Sequence, residues 1–120
     1  MVKQSPEAIN YLLESYELDR IRGDPKGITT SLLHLATWYC EHGQLDRAQS
    51  RLDEAETHVS KGGFVEDAGK IAHLRGKIYL ASGDRTKARF SFLRAARLET
   101  AAGHLELAAE DNDLAAECGG

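Results

Sequence analysis

Leu32-Leu33-His34-Leu35-Ala36-Thr37-Trp38-Tyr39-Cys40-Glu41-His42-Gly43 and, 40 positions on, Ala72-His73-Leu74-Arg75-Gly76-Lys77-Ile78-Tyr79-Leu80-Ala81-Ser82-Gly83 are two versions of one stretch. Ala36 answers to Gly76, Tyr39 to Tyr79, and both stretches run into a glycine. The register continues outward. Ala48, Leu52 and Ala55 lie 40 before Ala88, Phe92 and Ala95, and 40 after Ala8, Leu12 and Ser15. Inside each 40-residue unit a second ruler appears, because Gly23, Gly43, Gly63, Gly83 and Gly103 are spaced by 20. A fixed period of this size is the mark of a repeat architecture, and each unit holds two pieces of similar length.

The pieces are helices. Leu32, Leu35, Ala36, Tyr39 and Cys40 follow i, i+3, i+4, i+7, i+8, and Leu45, Ala48, Leu52, Ala55 and Val59 keep the same face, with Ala88, Phe92, Ala95 and Ala96. No segment alternates at the period of a strand. Glycine closes each helix, because a residue without Cβ enters the left-handed conformation without steric cost and lets the chain reverse. Start signals agree: Ser5-Pro6-Glu7 and Asp24-Pro25 set a cap before a proline, and Gly83-Asp84 and Gly43-Gln44 open later helices. The expectation is an all-α chain of six helices, about 6–22, 25–42, 45–61, 65–82, 85–101 and 104–118. One hairpin cannot cover both its faces, so stacked hairpins form an α-solenoid with a continuous core.

These residues resemble the tetratricopeptide repeat. Its helix-turn-helix unit carries a large residue, x₂, Leu-Gly, x₂, Tyr and then Ala-x₃-Phe. Here the first copy reads Leu32-x₂-Leu35-Ala36-x₂-Tyr39, Gly43, Ala48-x₃-Leu52 and Ala55. The second reads Ala72-x₂-Arg75-Gly76-x₂-Tyr79, Gly83-Asp84, Ala88-x₃-Phe92 and Ala95. The unit is 40 residues instead of the family's 34, and the closing proline is missing. The longer unit is similar to the elongated repeats of bacterial signal-transduction and transcription-activator proteins and of kinesin light chains. The resemblance implies a right-handed superhelix of antiparallel hairpins in one domain over 1–120: a half-repeat at 6–22, repeats at 25–61 and 65–101, and a capping helix at 104–118.

Composition removes other classes. The chain has 120 residues, 42% hydrophobic and 28% charged, the profile of one globular domain. Two cysteines, Cys40 and Cys118, make no disulfide scaffold. No apolar run reaches membrane-spanning length and the first residues lack a signal-peptide core, so a cytoplasmic protein without membrane or cofactor is expected. The net charge of −4 argues against nucleic acid, but it is unevenly distributed. Residues 70–97 sum to +7, from 8 basic residues and Asp84, and residues 98–120 sum to −6.

Catalytic signatures are missing: no nucleophile elbow, phosphate loop or dinucleotide fingerprint, and no zinc spacing. No enzyme is expected, and no metal site. Glu110-Asp111-Asn112-Asp113 imitates part of a calcium loop without its central glycine and reads as an acidic cap face. His34 and His73 read as surface or groove residues, Cys40 as a small core residue, Cys118 as a thiol near an exposed end, and Trp38 as packing between helices. Arg85, Lys87, Arg89, Arg94 and Arg97 fall on a second helix and, by the resemblance, on the convex side.

The family's first helices line a concave groove. The resemblance therefore places Thr30, Leu33 and Thr37 in it, then Lys70, His73 and Lys77, then Glu110, Asp113 and Glu117, each set three and four apart on one helix face. Lys70 and Lys77 can hold a carboxylate of an extended peptide, or simply pair with the acids of the last helix. Leu33 and Thr37 stand where the family's chaperone-tail clamp has Lys and Asn, which disfavours that ligand. The expected function is a protein–protein interaction adaptor that takes a peptide or helix of a partner, an acidic one where the lysines are engaged. The alternative is a homo-oligomeric scaffold in which the basic 70–97 block meets an acidic end of another copy.

Overall fold

The structure, a computed structural model, describes residues 6–62 and 64–119. They form six helices: α1 (Pro6–Arg22), α2 (Pro25–Glu41), α3 (Leu45–Gly62), α4 (Val65–Ala81), α5 (Arg85–Ala101) and α6 (Leu105–Gly119). The ends match the spacing-based boundaries to within one residue. The Ser5 cap, the Gly63 stop and Gly120 lie outside the described residues.

Glycine geometry explains the agreement. Gly23, Gly43, Gly83 and Gly103 have φ of 68°, 73°, 85° and 84°. The N–H of the next residue then turns back onto the helix it has left: Asp24 to the Asp19 carbonyl at 3.3 Å, Gln44 to Tyr39 at 2.8 Å, Asp84 to Tyr79 at 2.9 Å and His104 to Glu99 at 2.8 Å. Carbonyls otherwise orphaned at the helix end are satisfied the same way at each reversal. At the starts, Asp24 accepts from the Lys26 N–H at 3.2 Å with Pro25 at the first position, and Asp84 accepts from the Lys87 N–H at 3.0 Å. Phe64 precedes α4 without a side-chain cap.

Packing is between sequence neighbours, as in an array of helical hairpins, and it gathers the chain into two compact units, Met1–Gly62 and Gly63–Gly120. In the first, α2 packs against α3 and less extensively against α1. Leu32, Leu35 and Ala36 of α2 and Ala48, Leu52 and Ala55 of α3 are buried, with Tyr16 from α1. In the second, α5 packs against both α4 and α6. Ala88 and Phe92 of α5 and Ala115 and Cys118 of α6 form one core cluster, against which Tyr79, Leu93 and Leu114 pack.

Two expectations change. Cys118 is 8% exposed, because the last turn of α6 folds its thiol against Ala88 and Phe92 instead of fraying. Cys40 is only half-buried, at the edge of the α2 stripe. Gly119 ends α6, where an added Cβ would come 3.3 Å from Arg89 Nε.

α4 and α5 approach each other closely at Gly76. A Cβ on Gly76 would stand 2.6 Å from Phe92 Cε1. The equivalent positions in the first unit hold Ala36 and Leu52, both fully buried. A smaller residue on one helix therefore accompanies a larger one on the next, and the two exchanges keep the core filled. Gly76→Ala gains helix propensity but overpacks against the ring, and a net loss of about 1–2 kcal/mol is expected. Adding Phe92→Leu recovers part of that loss, since it recreates the first unit's pair. Urea unfolding of the two single variants and the double variant checks this; additive losses would refute the complementarity.

Candidate functional site

The most unusual side chains lie inside the second unit, where three helices each contribute an ionisable group. Glu99 of α5 is 6% exposed and Asp111 of α6 is 1% exposed. His73 of α4 is half-buried, with its Nδ1 2.6 Å from Asp111 Oδ1. Its ring also meets Phe92 edge-on at 5.9 Å. α4 makes room for this group. A Cβ on Gly69 would sit 3.3 Å from Glu99 Cγ, so the absent side chain is replaced by the Glu99 stem.

Two buried carboxyls in contact cannot both be ionised cheaply. Burial, then a hydrogen bond with Asp111 and the charges of Asp111 and Glu110, push Glu99 up to about 8. Glu99 is therefore the protonated partner at neutral pH and donates its O–H to Asp111. Asp111 accepts from Glu99 and is bonded on its other side to His73 Nδ1. Glu99 Oε1 is buried without a hydrogen-bond partner. This arrangement ties α4, α5 and α6 by charge-assisted bonds and fixes the imidazole plane. Among the described residues no group of three or more His, Cys, Asp or Glu side chains is disposed to hold a metal ion.

The residues expected to line a groove are distributed as follows. Lys70 and Lys77 are exposed on α4, on either side of His73 along the helix. Glu110, Asp113 and Glu117 are exposed on α6, but among the described residues none forms an ion pair with Lys70 or Lys77. His73 is brought together with Asp111, which the sequence reading had placed in an acidic cap face. Asp111 is instead the one member of that acidic run turned inward.

In the first unit Thr30 is exposed, Leu33 is buried and Thr37 is half-buried. Both hydroxyls bond to their own helix, Thr30 donating to the Lys26 carbonyl at 3.0 Å and Thr37 to the Leu33 carbonyl at 2.8 Å. Thr30 also lines a cleft of about 430 Å³ between α1 and α2, with Tyr11, Asp19, Ser31 and His34. There the Ser31 hydroxyl donates to Asp19 Oδ2 at 2.6 Å. On the other side of α1 the Tyr16 hydroxyl donates to the Glu54 carboxylate of α3. Burial and then that bond raise Tyr16 above the usual tyrosine range. Arg51 and Arg20 lie over its ring at 5.3 Å and 5.6 Å. Trp38 is half-buried and stacks on His42 with centroids 3.8 Å apart.

Sequence reasoning missed Glu99 and Asp111 as a pair. A signal existed: 40 positions earlier stand Val59 and Ile71, both buried, so each acid occupies an aliphatic register. No family model, curated protein or solved structure matches the chain.

The Glu99 proton gives a signed pH dependence. The folded chain holds it up to about 8, while the unfolded chain releases it near the ordinary 4.5. The folded state is thus favoured most below the unfolded value, and that contribution is lost as pH rises through about 8. Urea midpoints are expected to fall between about pH 5 and about pH 8, and Glu99→Gln to flatten that fall. An unchanged slope in the variant would show that Glu99 does not carry it.

Proposed function

We propose that the chain is an elongated tetratricopeptide-type adaptor without catalytic activity, which takes an acidic peptide segment or helix of a partner protein on α4. The observation that carries this reading is the state of Lys70 and Lys77. Both are exposed, neither is held by an acid among the described residues, and they flank a histidine whose position is fixed. The opposite face of α4 is buried through Ile71, Ala72, Leu74 and Ile78, so the helix is a rigid mount.

The chemistry follows from that arrangement. A lysine that is already paired must lose its partner before it binds another; these two need only lose water. Two ammonium groups separated by two helical turns suit carboxylates spaced along an extended or helical segment. His73, half-buried between them, offers a flat ring edge whose tilt is set by Asp111. The array of hairpins supports the family reading, as does the small-against-large packing of Gly76 and Phe92 at the positions where that family places small and large residues. Cys40 and Cys118 are not joined in a disulfide, which fits a reducing compartment such as the cytoplasm, and no described helix is long and apolar enough to cross a membrane.

Affinity capture from the native cell, read by mass spectrometry, tests the reading. The wild-type chain is expected to retain a partner that Lys70→Glu with Lys77→Glu loses by about tenfold or more, because each reversal meets like charge. Circular dichroism should show both proteins equally helical. Equal capture by the folded double variant would remove α4 as the binding surface.

A further inference from the structure

The basic residues of α5 are not equivalent. Asp84 reaches Lys87 at 4.0 Å, and Lys87 also lies 5.7 Å from the Tyr79 ring centroid. Arg89 lies over the last residue of α6, where a cation suits the helix dipole. Arg94 and Arg97 are different: both are exposed, and among the described residues neither has an ion-pair partner. They stand four and seven positions after Phe90, so the three side chains form one outward row. Phe90 is 67% exposed, an aromatic placed between cations on a helix whose other face is fully used by Ala88, Phe92, Ala95 and Ala96.

α6 carries the complement. Glu106, Glu110, Asp113 and Glu117 follow one another at intervals of four, three and four, all exposed and none in an ion pair among the described residues. Leu105, in the same first turn of α6, is also 67% exposed. A basic row led by Phe90 and an acidic row thus stand on successive helices of one chain, each on an exposed helix face. Neighbouring like charges repel along each helix, and the same molecule leaves both rows uncompensated.

We propose that α5 of one copy docks through Phe90, Arg94 and Arg97 on the acidic row of α6 of a second copy, so that the chain assembles with itself. The two patches differ, which makes the contact heterologous. Each added copy presents a fresh row at either end, and assembly proceeds to rings or filaments instead of stopping at a dimer. Arginine and an exposed aromatic are the residues that anchor protein interfaces, and the acids supply steering and register. The second copy is the occupant because the same chain carries both an exposed basic row without ion-pair partners and an exposed acidic row of opposite charge without them. The contact uses surfaces other than the lysines of α4 and does not depend on their role.

The test uses the purified full chain, measured by sedimentation velocity and light scattering over a concentration series. At about 0.01 M salt the wild type should grow beyond a dimer, and at about 1 M salt, where the screening length shrinks to about 3 Å, it should dissociate. Arg94→Glu with Arg97→Glu, and separately Glu106→Lys with Asp113→Lys, should each remain monomeric. An equimolar mixture of the two variants should associate again, because each then meets its opposite. Arg94→Gln with Arg97→Gln, a milder change, should weaken association by about tenfold while circular dichroism stays constant. A wild type that is monomeric at low salt overturns the proposal. So does association that survives the reversals, variants that fail to recombine, or a wild type that binds a poly-glutamate peptide or an oligonucleotide through α5 while staying monomeric.

Discussion

Reversal of the chain at a left-handed glycine is the constraint on which the rest depends. Where Gly23, Gly43, Gly83 and Gly103 take φ between 68° and 85°, the following N–H returns to a carbonyl of the finished helix and the next helix starts antiparallel. No residue with a Cβ does this without strain. Because the reversals recur at one interval, helix lengths are nearly equal, and equal antiparallel helices meet along their whole length. That continuous contact is what gives a 17-residue helix a stable place, since such a helix alone is marginal in water. The close approach at Gly76 is a consequence: two helices held in register can have one small-to-large contact tuned to van der Waals distance.

Against this background the buried acids of the second unit stand out. A carboxyl pair at aliphatic positions contributes little to net stability, because desolvation offsets the bonds it makes. Its physical effect is directional. Apolar packing tolerates small slips of one helix on another, whereas a chain of hydrogen bonds from His73 through Asp111 to Glu99 holds three helices at one setting. The first unit achieves a related tie by other means, with Tyr16 bonded to Glu54 and stacked under Arg51. Both ties link helices n and n+2, and both join residues 38 apart. In both units the tie therefore falls 38 residues on, two short of the 40-residue repeat.

That offset accounts for what could and could not be read in the sequence. Helix ends were legible because they are local: a glycine, an Asp or Pro beside it, and a few hydrogen bonds determine them. Core positions were legible because repetition places Ala48 on Ala88 and Leu52 on Phe92. The site was legible only in part. Repeat equivalence sets His73 beside Asp113, 40 positions on, but the offset sets it beside Asp111, 38 on. Asp111 was hidden in a polar run with no apolar period of its own. Glu99 was hidden by standing beside Leu98 at the end of a helix whose stripe had already become irregular. For both, the apolar residue one repeat earlier carried the information, and charge in that register marks a deliberate interior contact. Cys118 follows the same logic, since its burial depends on how far α6 continues past the last periodic residue.

The charges of the second unit thus fall into separate classes by what surrounds them. Asp111 and Glu99 bond to each other inside. Lys87 and Arg89 satisfy helix ends. Lys70 and Lys77 on α4, Arg94 and Arg97 on α5, and the four acids of α6 satisfy nothing in the described residues. A solvated face needs charges of mixed sign, because mixed sign lowers the self-energy of the surface and adjacent pairs support the helix. Here sign is sorted by helix, basic on α5 and acidic on α6, which raises that self-energy. A surface that keeps an unfavourable sorting gains from it only when an opposite charge arrives from outside the unit. Sorted charge on a helical mount is the physical ground that the proposed partner on α4 and the proposed second copy on α5 have in common.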